Sequence, residues 1–111
     1  MLSKEILQIL RVETRDASSL DANALAKNSV AHVLNALNSV DADEACRIAS
    51  KHVNVKCQRL AILLIRYPYP NDAQKRVMED HRSEALAAID KLESEFERCG
   101  PSGKVTALGI D

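Results

Sequence analysis

The first glycine in this chain is Gly100 and the others are Gly103 and Gly109; the prolines are Pro68, Pro70 and Pro101, so residues 1–67 contain neither. Tight two-residue β-hairpins need positive φ at their central positions, which glycine supplies and asparagine supplies less readily. A glycine-free run of this length is a poor substrate for a meander or a sandwich. Alanine and leucine lead the apolar set while Phe, Trp and Tyr make up 3% of residues, a balance that favours helix over strand. The expectation is an all-α protein. With 46% hydrophobic and 28% charged residues, the composition suits a packed core rather than a disordered chain, and 111 residues suffice for one domain.

Clusters of Asp, Asn and Ser compete with helical hydrogen bonding and serve as caps, so they supply the breaks that glycine does not. They divide the sequence into a bundle of about five predicted helices. Ser3 opens the first, where Leu2, Ile6, Ile9 and Leu10 recur at threes and fours, Leu7 and Val12 widen the stripe, and the end falls near Thr14. The second runs from a cap at Asp16, Ser18 or Ser19 to about Ser39. Its predicted core face is Val30, Val33, Leu34 and Leu37, preceded by Leu20 and Ala24; the opposite stripe is Asp21, Asn28, His32 and Asn35. Asp41 with Glu44 is a D-x-x-E start signal for a short third helix through Ala45, Ile48 and Ala49. Asn54 separates it from a fourth, Val55 to Tyr67, apolar around most of its circumference and suited to the middle of a bundle. A pair of strands over 53–57 and 60–65 is disfavoured, because Gln58-Arg59 offers no positive-φ residue for the turn. Tyr67-Pro68-Tyr69-Pro70 then stops the helix. Asp72 caps a long last helix, about 27 residues and about 40 Å, which ends at Cys99 before Gly100-Pro101. Residues 1–100 form the predicted single helical domain, and 101–111 a short flexible C-terminal tail.

The longest apolar run is Leu60 to Ile65, against the roughly 18 residues needed to cross a bilayer, so no membrane span is expected. Residues 1–10 lack the pattern of a secretory signal, which places the mature start near Met1. Cys46, Cys57 and Cys99 are an odd count whose spacing fits neither a disulfide framework nor a CxxC knuckle. Reduced, buried or half-buried thiols in a cytoplasmic protein are the expectation.

Enzymatic constellations are weak. His32, His52 and His81 fall on different predicted helices without an HExxH pattern; His81 and Glu84, at i and i+3, offer two metal ligands where a site needs more. Cys46 and His52 are poorly placed on one helix, and the apolar surroundings of Cys57 raise its thiol pKa. There is no glycine-rich phosphate loop, and a helix-turn-helix over 43–65 would lack its turn glycine and carry a recognition helix too apolar for a solvated groove. No catalytic residue, cofactor or metal is assigned. An enzyme is kept as a lesser alternative.

Two surfaces carry the functional expectation. In the last helix Lys75, Met78, Arg82, Ala85, Ile89, Leu92, Phe96 and Cys99 step by threes and fours. The seam Ala85, Ile89, Leu92 and Phe96 either packs on the chain's own helices or pairs with a second copy. A 40 Å rod exceeds the diameter of a compact globule of this size, about 26 to 30 Å, and this favours a homodimer. Charge is also uneven: residues 45–71 hold five basic residues and no acid, between flanks that each sum to −3. Arg47, Lys51, Arg59, Arg66, Tyr67 and Tyr69 form the predicted partner-binding surface. The leading expectation is a small, non-catalytic protein-binding module. Nucleic acid is the alternative partner, since basic residues beside aromatic faces also suit phosphates and bases.

Overall fold

The computed structural model describes residues 2–101, and helix caps set its element boundaries. Four α-helices follow in order: α1 Leu2–Asp16, α2 Ala22–Asn38, α3 Glu44–Arg66 and α4 Asp72–Cys99. A 3-10 turn, Ser19–Asp21, leads into α2; there the Ser18 backbone N–H and hydroxyl both donate to Asp21 Oδ2, at 2.8 and 2.9 Å. The cap of α3 is Asp43 rather than Asp41, its carboxylate accepting from the Cys46 N–H at 3.1 Å. Asn71, not Asp72, caps α4: its Oδ1 accepts from the Gln74 N–H at 2.8 Å, and Gln74 Oε1 accepts from the Asn71 N–H at 3.0 Å. This reciprocal pair satisfies two otherwise orphaned donors. At the far end Gly100, at φ +77°, donates its N–H to Phe96 O at 2.9 Å. A side chain at this left-handed position would be strained.

The predicted third and fourth helices are one. The inward residues Cys46, Ala49, Val53, Cys57, Leu60 and Leu64 step by threes and fours straight through Asn54, and all six are buried. An asparagine inside a helix costs only about 0.7 kcal/mol against alanine, whereas burying one large apolar side chain is worth about 1.5 to 3 kcal/mol. Packing therefore overrides the local signal.

Each helix packs on two neighbours, α1 on α2, α2 on α3, α3 on α4 and α4 back on α1, joined by short connections in an up-down-up-down bundle. Among the described residues there is no strand; Val40 and Pro101 form an isolated bridge, beside which the Asp41 N–H donates to Gly100 O at 3.0 Å. This ties the α2–α3 connection to the end of α4. The predicted tail beyond Pro101 lies outside the described residues. No described helix is long and apolar enough to cross a membrane.

Inside the bundle, α1 contributes Leu7, Leu10 and Thr14, while Leu2, Ile9 and Val12 of its predicted stripe face outward. From α2 come Ala22, Leu25, Ser29, Val33 and Ala36; the predicted core residues Leu20, Val30 and Leu34 are exposed. The predicted polar stripe meets α1, where Glu13 takes the Asn28 amide at 3.0 Å and His32 Nε2 at 2.9 Å. Ala85, Ile89, Leu92 and Phe96 are all buried in the chain's own core, so they are not free to pair with a second copy. The bundle measures 55 × 22 × 16 Å, and the long helix lies within this elongated shape instead of overhanging a sphere. Arg82, one of two charged members of the seam, has its own role: Nη1 donates to Thr14 O at 2.7 Å and Arg15 O at 3.0 Å, closing the C-terminal end of α1.

A continuous α3 makes Asn54 a misfit, since its Oδ1 is buried without a hydrogen-bond partner. Asn54→Ala should stabilise the fold by about 0.5 to 1 kcal/mol in urea titration. Asn54→Pro should cost about 3 kcal/mol or more; a proline tolerated here would show a break that the structure does not contain.

Candidate functional site: the outer face of α3 and the α3–α4 groove

Because the inward face of α3 is filled by its three- and four-residue steps, the residues between them point to solvent. Ile48, Val55 and Ile62 recur every seven residues, drift only about 20° per heptad, and are 50%, 46% and 53% exposed. Arg47, Lys51, Arg59 and Arg66 flank this apolar stripe, and all four are exposed. At 1.5 Å per residue the face from Ile48 to Arg66 runs about 27 Å.

None of these four cations has a carboxylate oxygen within 4.0 Å among the described residues. Of the five other arginines, four pair with carboxylates and Arg76 does not, among the described residues. Arg11 bridges from α1 to Asp90 and Glu93 of α4, Arg15 meets Asp16, Arg82 meets Glu79, and Arg98 meets both Asp43 and Glu95. Of the five cations of residues 45–71, only Lys56 reaches a carboxylate among the described residues, that of Glu84.

Tyr67 and Tyr69 separate. Tyr67 ends α3, is half-buried and packs against the core, whereas Tyr69 is 95% exposed in the connector. Of the predicted contact residues, the four basic ones share the α3 face, Tyr69 projects beyond its end, and Tyr67 belongs largely to the bundle.

Beside the stripe, on the side toward α4, lies a groove of about 590 Å³. Its floor is built by Ala45, Ile48 and Ala49 of α3 and by Ala87 and Ala88 of α4. Alanine fills little space between two helices, which is why a channel opens here. Lys56 spans the groove to Glu84 at 3.3 Å; His52, Lys91 and Glu95 complete the rim. The sequence pattern missed this groove because it depends on alanines of two helices 40 positions apart meeting side by side.

In the predicted ligand pair, His81 Nδ1 is buried without a hydrogen-bond partner among the described residues and lies 3.8 Å from Glu84 Oε2, the oxygen already held by Lys56. The one group of three potential metal-ligating side chains found among the described residues is Asp43, Cys46 and Cys99. Its carboxylate is occupied, with Arg98 Nη2 at 2.8 Å from Oδ2 and the Cys46 N–H on Oδ1. The Cys46 amide and the Arg98 guanidinium hold the Asp43 carboxyl down at about 2. Cys57 is buried, which pushes its thiol up to about 11 despite a 3.9 Å contact with Thr14 Oγ1. It is a core residue and a poor nucleophile.

Comparison with protein-family models, curated proteins and solved structures finds no match to this chain.

The Asp43 cap gives a signed pH dependence. A carboxylate near 2 when folded and near 3.9 when unfolded contributes stability that is complete above about pH 4 and is lost as pH falls toward 2. In thermal melts Asp43→Asn, which keeps the capping oxygen, should melt below wild type at pH 6, and the gap should close between pH 4 and 2. A gap independent of pH would contradict this role.

Proposed function

We propose that this protein is a small, non-catalytic cytoplasmic interaction module whose α3 face and adjoining groove receive an acidic amphipathic helix of a partner protein. The observation that carries the reading is the set of exposed cations Arg47, Lys51, Arg59 and Arg66, unpaired among the described residues and arranged around the exposed stripe Ile48, Val55 and Ile62. Apolar anchors at heptad spacing suit one face of a helix, and flanking cations suit carboxylates at its edges. A partner segment of about 18 residues would match the 27 Å length of the face. Its apolar side chains would cover the stripe and enter the alanine-floored groove.

The apolar centre favours protein over nucleic acid, since a phosphate backbone gains nothing from three exposed aliphatic side chains. Self-association through 85–96 plays no part in this reading, because that seam is buried within one chain. Two copies of the α3 face would also oppose like charges.

A display library of 18-residue amphipathic helices, with fixed leucines and randomised polar positions, tests the proposal. Selected binders should be enriched in Asp and Glu flanking the leucines. Arg59→Glu should weaken their binding by about tenfold or more, some 1.4 kcal/mol, while leaving the circular dichroism spectrum and melting temperature nearly unchanged. Binders without acidic enrichment, binders indifferent to Arg59→Glu, or tighter binding to an oligonucleotide than to any selected helix would each overturn it.

A further inference from the structure

Cys46 lies in the first turn of α3 and Cys99 is the last residue of α4, so the antiparallel packing of these helices brings together two cysteines 53 positions apart. Their sulfurs are 2.8 Å from each other. Cys46 is fully buried and its Sγ also faces Glu95 O at 3.5 Å; Cys99 is half-buried. We propose that Cys46 and Cys99 are a redox-responsive pair that closes to an intramolecular disulfide, stapling the start of α3 to the end of α4.

Three features support the pair as a bond-forming unit. The sulfurs need to close from 2.8 Å to about 2.05 Å to bond, a small adjustment between two helices already in contact. The third potential metal ligand at the site, Asp43, is engaged by the Arg98 guanidinium and the Cys46 amide, which disfavours a cation and leaves the two thiols to each other. Cys57 lies apart, sealed in the core against Thr14, so it does not compete for either sulfur. Burial and the neighbouring Cys99 sulfur push the Cys46 thiol up from its ordinary range, and Cys99 is the more accessible of the two, so an oxidant meets Cys99 first.

The oxidant is a small-molecule disulfide. Cys99, as thiolate, attacks one of its sulfurs, breaking that S–S bond and releasing one thiolate. Cys46 then loses its proton to water and displaces the second thiolate from the mixed disulfide. One S–S bond is broken and one formed; two electrons pass from the protein thiols to the oxidant, and the two protons leave on its reduced thiols. In a reducing cytosol such a bond is transient, which suits a sensor more than a permanent clamp. Ala45 and Glu95, which line the α3–α4 groove, adjoin the pair, so closure would fix that end of the groove. The disulfide itself stands independently of any partner.

The protein is incubated with excess oxidised glutathione, alkylated in denaturant and analysed by intact mass and peptide mapping. The expected product carries one alkylated cysteine, Cys57, and a linked peptide pair containing Cys46 and Cys99. Its melting midpoint should rise by roughly 10 °C and return on reduction. Cys57→Ser should form the same link with the same shift, whereas Cys46→Ser should form neither. Three alkylated thiols per chain, or Cys99 recovered only in mixed or intermolecular disulfides, would overturn the proposal.

Discussion

The bundle depends on the burial of one seam of α4. Ala85, Ile89, Leu92 and Phe96 fill the space between α1 and α3, and each of the three large side chains contributes about 1.5 to 3 kcal/mol by leaving water. Polar contacts fix the geometry of this packing. Arg82 takes the last carbonyls of α1, and Arg11, about one turn earlier, reaches across to Asp90 and Glu93, so the C-terminal half of α1 is tied to α4. With α4 in place, α3 has one face to bury, and everything on its other face is left to solvent.

That division gives the outer face of α3 its character. A helix that must pack on both α2 and α4 devotes Cys46, Val53, Cys57, Leu60 and Leu64 to the core. The bundle has no use for Ile48, Val55 and Ile62, or for the four cations around them. Exposed aliphatic residues in isolation are ordinary; three of them in register beside exposed arginines form a continuous surface with both an apolar and an electrostatic character.

The all-helical class was legible in the sequence because the absence of glycine before position 100 is a backbone constraint, and α4 was legible because it has a proline stop before it and a glycine after it. Asn54 misled because a weak helix former resembles a break when read locally. The steps 46, 49, 53, 57, 60 and 64 ran through it and were the available signal. In α1 and α2 apolar residues outnumber the places on one face, and Thr14 and Ser29 occupy buried positions that hydropathy assigns outward. Such a choice of face is made by the neighbouring helices. At the site, the basic residues were visible as a charge block, but the alanine-floored groove and the meeting of Cys46 with Cys99 are products of the antiparallel pairing of α3 and α4.

The 85–96 seam is buried within one chain, which leaves the outer face of α3 exposed. A half-filtered NOE experiment on an equal mixture of isotope-labelled and unlabelled protein tests it most directly. Cross-peaks from the Ile89 and Leu92 methyls should arise within single chains and vanish from the interchain spectrum. Interchain cross-peaks to those methyls would show that a second copy covers the seam, and would contradict the structure of the site described above.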